Sequence, residues 1–328
     1  MSAVSADHAS PGSDPRAATA TRATAAGAPR VSALVPVYNG AAFLAEALQS
    51  ALAQTYEALE VVVVDDGSTD DTAAIAARFA QASGGRIRVI SQANAGLPAA
   101  RNAAIAAARG EFFALLDADD VWLPRHIADA VAVFDARPEV GLVHGDVRLI
   151  DVNGAFVGSA TRHWDKVGDA YRALALRHEH VCCPSAVFRR RCIEDVGAFD
   201  LQFTGLGCED RDLWLRIAER WQVHFIDECV AHYRVHATSM SRNRERMAAA
   251  RRRLLDKLAA TPRGAPLVRH AEAMIESDLG MEYLAEGAYG RALLAQVRAL
   301  RIRPQTRRVW RRMVRPALCL VSATIFGI

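Results

Sequence analysis

Several motifs that define large protein classes are missing from this chain. No stretch of its 328 residues approaches 18 uninterrupted apolar residues, so no membrane-spanning helix is predicted. No Gly-x-Gly-x-x-Gly follows the first apolar run and no Gly-Lys-Ser/Thr loop occurs. The first absence argues against a dinucleotide-dependent oxidoreductase, and the second excludes a P-loop enzyme. A sugar nucleotidyltransferase would also need a Gly-rich phosphate loop near its start, and the chain has no such loop there.

The net charge and the cysteine pattern argue against further classes of protein. The net charge of +3 is too small to predict nucleic-acid binding by the whole protein. The six cysteines contain no Cys-x-x-Cys pair of the zinc-binding type. Residues 1–29 are rich in Ala, Ser, Thr, Gly and Pro and lack the apolar core of a secretory signal, so we expect a disordered leader. Reduced thiols and a cytoplasmic location are therefore expected.

Apolar runs alternate with helix-like segments from Val31 onward. Strands are predicted at 31–37, 59–64, 86–90 and 112–116, and helices at 41–54, 70–82 and 97–108. Asp70 is the expected N-cap of the second helix. This order predicts an α/β fold, an open and mostly parallel Rossmann-like sheet flanked by helices.

The pattern is less regular after residue 122. Strands are predicted at 142–147, 181–188 and 223–226, and a short helix at 212–221. After residue 241 the chain becomes rich in Ala and Leu, which predicts helices over 244–260 and 267–301. The second of these contains a turn at 286–290 and is similar to a single tetratricopeptide unit. We therefore expect an α/β domain over 30–242 and a helical C-terminal region over 243–328.

Two acidic clusters directly follow two of the predicted strands. The first is Asp65-Asp66-Gly67-Ser68-Thr69-Asp70, and the second is Asp117-Ala118-Asp119-Asp120. The carboxyl ends of parallel strands form a binding crevice, so these carboxylates can meet there. Crowded carboxylates repel one another unless a cation or hydrogen-bond donors hold them. Mg²⁺ or Mn²⁺ carried by a phosphate suits such oxygen ligands.

Two further loops lie at the same edge. Pro36-Val37-Tyr38-Asn39 follows the first strand and can hold a base or ribose, although a simple turn would have the same composition. Gly96 and Arg101 lie where the third helix begins. A helix N-terminus favours phosphate, and Arg101 could reach an anion or a base.

Taken in order, these motifs resemble the family 2 glycosyltransferases, which have the GT-A fold. The resemblance covers residues 30–241 and includes a later segment, Gly207-Cys208-Glu209-Asp210-Arg211-Asp212-Leu213-Trp214. It implies an inverting transfer of a sugar from a nucleotide-diphosphate-sugar to an acceptor hydroxyl. Asp210 then matches the general base, Asp66 the nucleotide contact and Asp119 the ligand of a Mg²⁺ or Mn²⁺ ion.

The resemblance also implies roles for the residues around these three. His236, in His232-Tyr233-Arg234-Val235-His236, is a second candidate metal ligand or a contact of the diphosphate. Glu209 and Trp214 are expected on the acceptor side, where Glu209-Asp210 could equally cap a helix starting at Asp212. The remaining expected donor contacts are Pro36, Tyr38, Asn39, Gly96, Arg101 and Asp117.

One departure from the family bears on the product. Processive synthases of this family carry Gln-x-x-Arg-Trp, whereas here Arg220-Trp221 is preceded by Ile217 at the Gln position. The resemblance therefore implies addition of one or few sugars to a glycan or lipid-linked glycan, in surface polysaccharide assembly. The rival from another class is a catalytically silent nucleotide-sugar-binding protein or a silent scaffold protein on the same fold. The intact Asp119 and Asp210 argue against that rival.

The C-terminal tail is basic and partly apolar. Eight arginines lie between Arg298 and Arg315, and no acidic residue follows them. An apolar stretch from Ala317 to Val321 comes next. Such a tail could lie on an anionic membrane surface at the cytoplasmic face, as a peripheral protein. It could also be a solvated basic face that packs on the hairpin, whereas nucleic-acid binding is not expected because Trp310 is its only aromatic residue among the arginines.

Overall fold

Four parallel strands form the first half of the sheet, in the spatial order β3-β2-β1-β4. The computed structural model describes residues 28–159, 169–176, 181–236 and 243–326. Its first elements are β1 (Val31–Val37), α1 (Leu44–Leu52), β2 (Leu59–Asp65), α2 (Thr72–Ala82), β3 (Ile87–Ser91), α3 (Leu97–Ala107) and β4 (Phe112–Leu115). Each predicted strand and helix of this half is present, with ends that differ by a few residues. Residues 1–27 of the predicted leader lie outside the described residues.

The second half of the sheet is mixed. Its elements are β5 (Val121–Trp122), α4 (His126–Ala136), β6 (Val140–Ile150), β7 (Phe156–Ser159), α5 (Ala170–Ala175), β8 (Val187–Arg189), α6 (Arg190–Val196), α7 (Glu209–Arg220) and β9 (Gln222–Arg234). Strand β8 lies antiparallel to both β4 and β6, β6 and β9 are parallel, and β5 closes the edge antiparallel to β9. The four strands of the first half, where the chain alternates strictly between strand and helix, are thus all parallel, whereas the second half combines parallel and antiparallel pairs.

This half of the structure differs from the sequence expectations at three elements. The predicted strand 181–188 is mostly a turn with a 3-10 helix at Cys183–Ser185, and only β8 is a strand. Strand β9 runs for 13 residues because its polar outer residues pair with β6 while remaining half exposed. Helix α4 was missed, although its buried Ile127, Ala130 and Phe134 have helical spacing.

The valine run of β2 explains why the sheet is covered on both faces. Val61 and Val63 pack into the core on one side of the sheet, and Val62 and Val64 pack into the core on the other. All four side chains are buried. Burial of each such side chain stabilises the fold by roughly 1.5–3 kcal/mol, so this strand holds both layers of helices in place.

The C-terminal helices continue one of these cores. They are α8 (Arg244–Ala259), α9 (Val268–Ala285), α10 (Tyr289–Ile302) and α11 (Arg307–Phe326). Leu258 and Ala271 belong to the apolar cluster that contains Leu213 of α7. The predicted hairpin is present as α9 and α10, which Ser277 Oγ and Gln296 Oε1 join at 2.8 Å. No described helix is both long and apolar enough to cross a membrane.

His126 is a histidine whose side chain is buried. Its side chain lies at the start of α4, and its ring packs edge-on against Trp122 at 5.2 Å. Neither ring nitrogen has a partner within the described chain. Burial lowers the pKa of His126 to about 3, so the ring is neutral when the protein is folded.

We expect His126→Phe to make the protein less sensitive to acid. Unfolded His126 takes up a proton below its pKa of 6.5 whereas the folded form does so only near 3, so wild-type stability falls as the pH drops through this window. The variant should gain about 1.4 kcal/mol of relative stability per pH unit within it. Urea unfolding of both proteins from pH 7 to pH 4 measures this, and a pH-independent difference would contradict it.

Candidate functional site

The loops after β1 and β2 are joined by hydrogen bonds. Asn39, with a positive φ of 51°, donates its backbone N–H to Ser68 Oγ at 2.9 Å, and its side chain Oδ1 accepts from the Thr69 N–H at 2.8 Å. Asp70 accepts from the backbone N–H groups of both Ala41 and Thr72. Asp70 therefore bridges the loops one residue before the N-cap position, which Asp71 occupies. Tyr38 projects from this platform with 53% of its surface exposed.

Asp66 holds the loop that leads into α3. Its Oδ1 accepts from Gln92 Nε2 at 2.7 Å and from the Ala95 N–H at 2.9 Å, and its Oδ2 accepts from the Gly96 N–H at 2.8 Å. The side chain is buried. Asp66 is thus engaged by the protein itself, and a nucleotide contact through it remains a prediction.

Gly96 is required by the close approach of another loop. Its φ is +87°, and a Cβ placed there would lie 2.6 Å from Thr204 Cγ2. Asn102, on α3, exchanges two hydrogen bonds with the backbone of Phe199 at 2.8 and 2.9 Å. The start of α3 is therefore fixed against the segment that precedes α7.

The Asp-x-Asp triplet lies just past β4. Asp119 Oδ2 is 2.8 Å from His236 Nε2, so the two predicted metal ligands are in contact. Burial and the neighbouring Asp117 raise the pKa of Asp119 above its usual range. Burial raises the pKa of Asp120 well above its usual range as well, and Asp120 Oδ2 has no partner within the described chain. A positive charge placed beside this cluster of carboxylates would therefore stabilise their charged forms.

Arg234 is a structural residue of this cluster that the sequence analysis did not identify. Its backbone N–H donates to Asp120 Oδ1 at 2.8 Å, and its Nε donates to the Asp119 carbonyl at 2.9 Å. Its Nη2 lies 2.5 Å from Glu46 on α1. Arg234 thereby fixes the triplet against β9 and α1. The only sequence signal for Arg234 was its position two residues before His236, at the end of β9.

Arg101 joins the triplet to the Glu209-Asp210 pair. Its Nη2 lies 2.7 Å from Asp117 Oδ1 and its Nη1 lies 2.5 Å from Glu209 Oε1. Nη2 also lies 2.9 Å from Cys183 Sγ, and the guanidinium stacks over Phe199. Only 2% of the side chain is exposed. Because two carboxylates of the protein occupy both Nη groups, contact of Arg101 with a base or an anion of a ligand stays a prediction.

Glu209 and Asp210 form the first turn of α7. The helix begins at Glu209 rather than Asp212, and Cys208 is its N-cap residue with a left-handed φ of 65°. Neither residue occupies the N-cap position, so capping of a helix that starts at Asp212 was wrong, although Asp210 Oδ1 accepts from the Arg211 N–H of the first turn at 2.7 Å. Burial raises the pKa of Glu209 to about 7, with Arg101 lowering it and Asp210 raising it. Burial also raises the pKa of Asp210, against the opposing effect of Arg101.

Two other expected site residues are core residues. Trp214 is 1% exposed and packs edge-on against Phe188 at 5.5 Å, so it does not face an acceptor. Its spacing from Ile217 and Ala218, which are also buried, is that of a buried helix face. Pro36 is buried within β1 opposite Val64, so little of its ring is available to a nucleotide.

The possible metal ligands near Asp119 suit a cation that takes only part of its coordination from the protein. In the part of the chain described, no three His, Cys, Asp or Glu side chains group together as a metal cluster. Two adjacent ligands about 2.1 Å from an ion lie roughly 3 Å apart, and the 2.8 Å between Asp119 and His236 matches that spacing. These residues therefore fit Mg²⁺ or Mn²⁺ if a diphosphate provides the other oxygens.

The fold and the placement of these carboxylates define a class. An open sheet that carries an Asp-x-Asp triplet after a central strand, with a Glu-Asp pair facing it, is the arrangement of GT-A glycosyltransferases. The sequence model of Glycosyl transferase family 2 matches residues 32–197, half of the chain. The chain belongs to that family.

Relatives agree with this assignment. An uncharacterized glycosyltransferase of Nostoc sp. is 32% identical over 214 residues, which is 64% of this chain and 66% of that protein. The succinoglycan biosynthesis protein ExoU of Rhizobium meliloti is 33% identical over 239 residues, 66% of each chain. A Rickettsia felis glycosyltransferase is matched over only 35% of its length. The chain thus spans two thirds or less of these relatives.

Solved structures share the fold. Residues 1–349 of S. aureus TarS in complex with UDP-GlcNAc superpose with a TM-score of 0.60 at 20% identity, over 83% of this chain and 81% of that one. The mannosyltransferase PcManGT of Pyrobaculum calidifontis, in complex with GDP-Man and Mn²⁺, gives 0.59 at 25% identity, over 90% and 86% of the two chains.

We expect Arg101→Met to destabilise the protein strongly. It leaves the buried Glu209 and the partly buried Asp117 without their shared cation, which should lower the free energy of unfolding by about 3–5 kcal/mol. Adding Glu209→Gln to this variant should recover part of the loss, since one uncompensated carboxylate is removed. Urea unfolding of the wild type, both single variants and the double variant measures the coupling. Purely additive losses would contradict the bridge.

Proposed function

We propose that the protein transfers a sugar from a nucleotide-diphosphate-sugar to an acceptor hydroxyl with inversion at the anomeric carbon. The observation that supports this most strongly is the Arg101 bridge, which joins the donor-side Asp117 to the acceptor-side Glu209. Two sets of carboxylates are thereby brought to one crevice at the ends of β2, β4 and the start of α7. Family membership and the nucleotide-sugar complexes of TarS and PcManGT support the same reaction.

Asp210 is the proposed general base. It takes the proton of the acceptor hydroxyl as that oxygen attacks the anomeric carbon from the face opposite the leaving diphosphate. A single displacement of this kind inverts the anomeric configuration. Burial raises the pKa of Asp210, which makes the carboxylate a stronger base than an exposed aspartate. Glu209, held by Arg101, is proposed to orient the acceptor.

The donor is proposed to bind on the platform at the ends of β1 and β2. Tyr38 is exposed beside Asn39 and can contact the base or ribose, while Asp66 shapes the loop around Gly96. Asp119 and His236 are proposed to hold Mg²⁺ or Mn²⁺ with the diphosphate. When bound, such an ion stabilises the negative charge of the departing diphosphate.

The proposed acceptor is a glycan or lipid-linked glycan in surface polysaccharide assembly. The name of ExoU, a succinoglycan biosynthesis protein, supports this setting. Ile217 at the position of the processive Gln supports addition of one sugar or few. We propose that the reaction takes place on the cytoplasmic side of a membrane, and that 30–242 form the catalytic domain with 243–328 as a helical extension.

Asp210→Asn should abolish transfer and leave donor binding intact. In the wild type the rate should rise with pH through the raised pKa of Asp210, because only the deprotonated carboxylate accepts the acceptor's proton. The variant should lose about 10²–10⁴-fold in rate and lose this rise. Nucleotide release across pH and calorimetric donor binding measure both effects.

Asp195→Asn is the matched control for that variant, since Asp195 lies on α6 and bonds Trp221 away from the crevice. Its rate should equal that of the wild type. Loss of donor binding by Asp210→Asn to the same degree as loss of rate would make Asp210 structural instead.

Asp119→Ala should remove the dependence of donor binding on Mn²⁺. Calorimetry with a panel of nucleotide-sugars, with and without Mn²⁺, should show one donor whose affinity in the wild type rises with the ion. In the variant the ion should make no difference, because the carboxylate that faces it is gone. Failure of the wild type to bind any donor would instead favour the silent-scaffold alternative.

A further inference from the structure

Helix α11 exposes an apolar stripe flanked by arginines. Trp310, Val314 and Leu318 are spaced four residues apart and are 51%, 58% and 65% exposed. Residues at this spacing lie on one face of a helix. Arg307, Arg311 and Arg315 lie on the same exposed side, each next to one of the three apolar residues or one turn before it. We call these six residues the α11 face.

The opposite side of α11 is packed. Val309 is fully buried against α9 and α10 in a cluster with Met274 and Ala299. Arg312 Nη1 lies 2.6 Å from Asp278 Oδ1 on α9, with only 12% of its side chain exposed. These contacts fix the orientation of α11. The α11 face therefore points away from α9 and α10 and stays exposed.

The α11 face carries charge of one sign only. No acidic residue follows Glu286 in the sequence. Arg307, Arg311 and Arg315 make no ion pair with any described residue. Helix α10, which packs beside α11, has an exposed row of its own with the same composition, made of Arg291, Leu294, Arg298 and Arg301. The surface thus combines exposed apolar side chains with several unneutralised cations.

We propose that the α11 face docks on the surface of an anionic lipid bilayer. Its Trp310 lies among arginines, as in helices that rest in the headgroup region, where an amphipathic ring is favoured and cations meet acidic headgroups. A second copy of the chain would bring like charges together on this face. Nucleic acid would gain from the arginines but not from Val314 and Leu318.

Docking of this kind needs no spanning helix. Arginines near an anionic surface each strengthen binding, and the apolar side chains add the part that salt does not screen. The proposal goes beyond the transfer reaction, and neither depends on the other. It also places the catalytic domain beside a lipid surface from which a lipid-linked acceptor could be taken.

Sedimentation of the full chain with vesicles tests the proposal. Phosphatidylcholine vesicles with and without phosphatidylglycerol are compared at low and high salt. Binding should require phosphatidylglycerol and weaken with salt, and the triple variant Arg307→Gln, Arg311→Gln, Arg315→Gln should bind about 100-fold less tightly. The matched control is Arg78→Gln, Arg191→Gln, Arg220→Gln, which removes three exposed cations from other elements and should bind nearly as the wild type does.

The apolar stripe is tested separately. Replacing Trp310, Val314 and Leu318 together by Ser should weaken binding at least about tenfold, and the loss should persist at high salt. Quenching of tryptophan fluorescence by brominated lipid should be present in the wild type and lost in Trp310→Phe. All three residues are exposed, so folding should be preserved, and circular dichroism confirms it.

Several outcomes would overturn the proposal. The first is that the wild type binds vesicles with and without phosphatidylglycerol equally well. The second is that the control triple variant loses as much affinity as the α11 triple variant. The third is that the wild type binds no vesicles. Binding of the α11 face to nucleic acid or to itself in place of vesicles would overturn it too. Donor binding should be unchanged in every α11 variant, so a failure of docking is distinguishable from a failure of the proposed transfer.

Discussion

The guanidinium of Arg101 is the contact on which the rest of the site depends. Asp117 follows β4 and Glu209 opens α7, and these residues are 92 positions apart in the sequence. Their carboxylates would repel each other in a buried crevice without a shared cation. Because Arg101 lies between them, the segment before α7 can close over the ends of the parallel strands. The Cys183 and Phe199 contacts complete its enclosure.

Burial around that bridge also sets the chemistry of the site. It raises the pKa values of Asp119, Glu209 and Asp210, so each carboxylate is a better base and a better partner for a cation than it would be in water. Arg234 fixes the triplet from the other side. The proposed donor and acceptor sides therefore share one electrostatic environment. A change of charge on one side alters the electrostatic potential on the other.

Sequence patterns identified the strands and the loops but not which side chains are buried. The four valines of β2 predicted a strand covered on both faces, and the position of Asp119 after β4 followed from that. Arg101 and Trp214 were assigned to ligands because a motif does not say which way a side chain points. The burial of Trp214 could have been predicted, because its helical spacing from other apolar residues indicates a buried helix face. Arg101 carried no such signal, since its partners are distant in the sequence. The length of strand β9 was underestimated because its half-exposed residues lack a strong apolar pattern.

The most direct test of the account is the anomeric configuration of the sugar released or transferred first. Proton NMR during the reaction with an α-linked nucleotide-sugar, with water as the acceptor if no other is found, distinguishes the two outcomes. A single displacement with Asp210 as base predicts β-configured sugar before mutarotation. Release of α-configured sugar would contradict the central claim, because it requires two displacements or front-face attack.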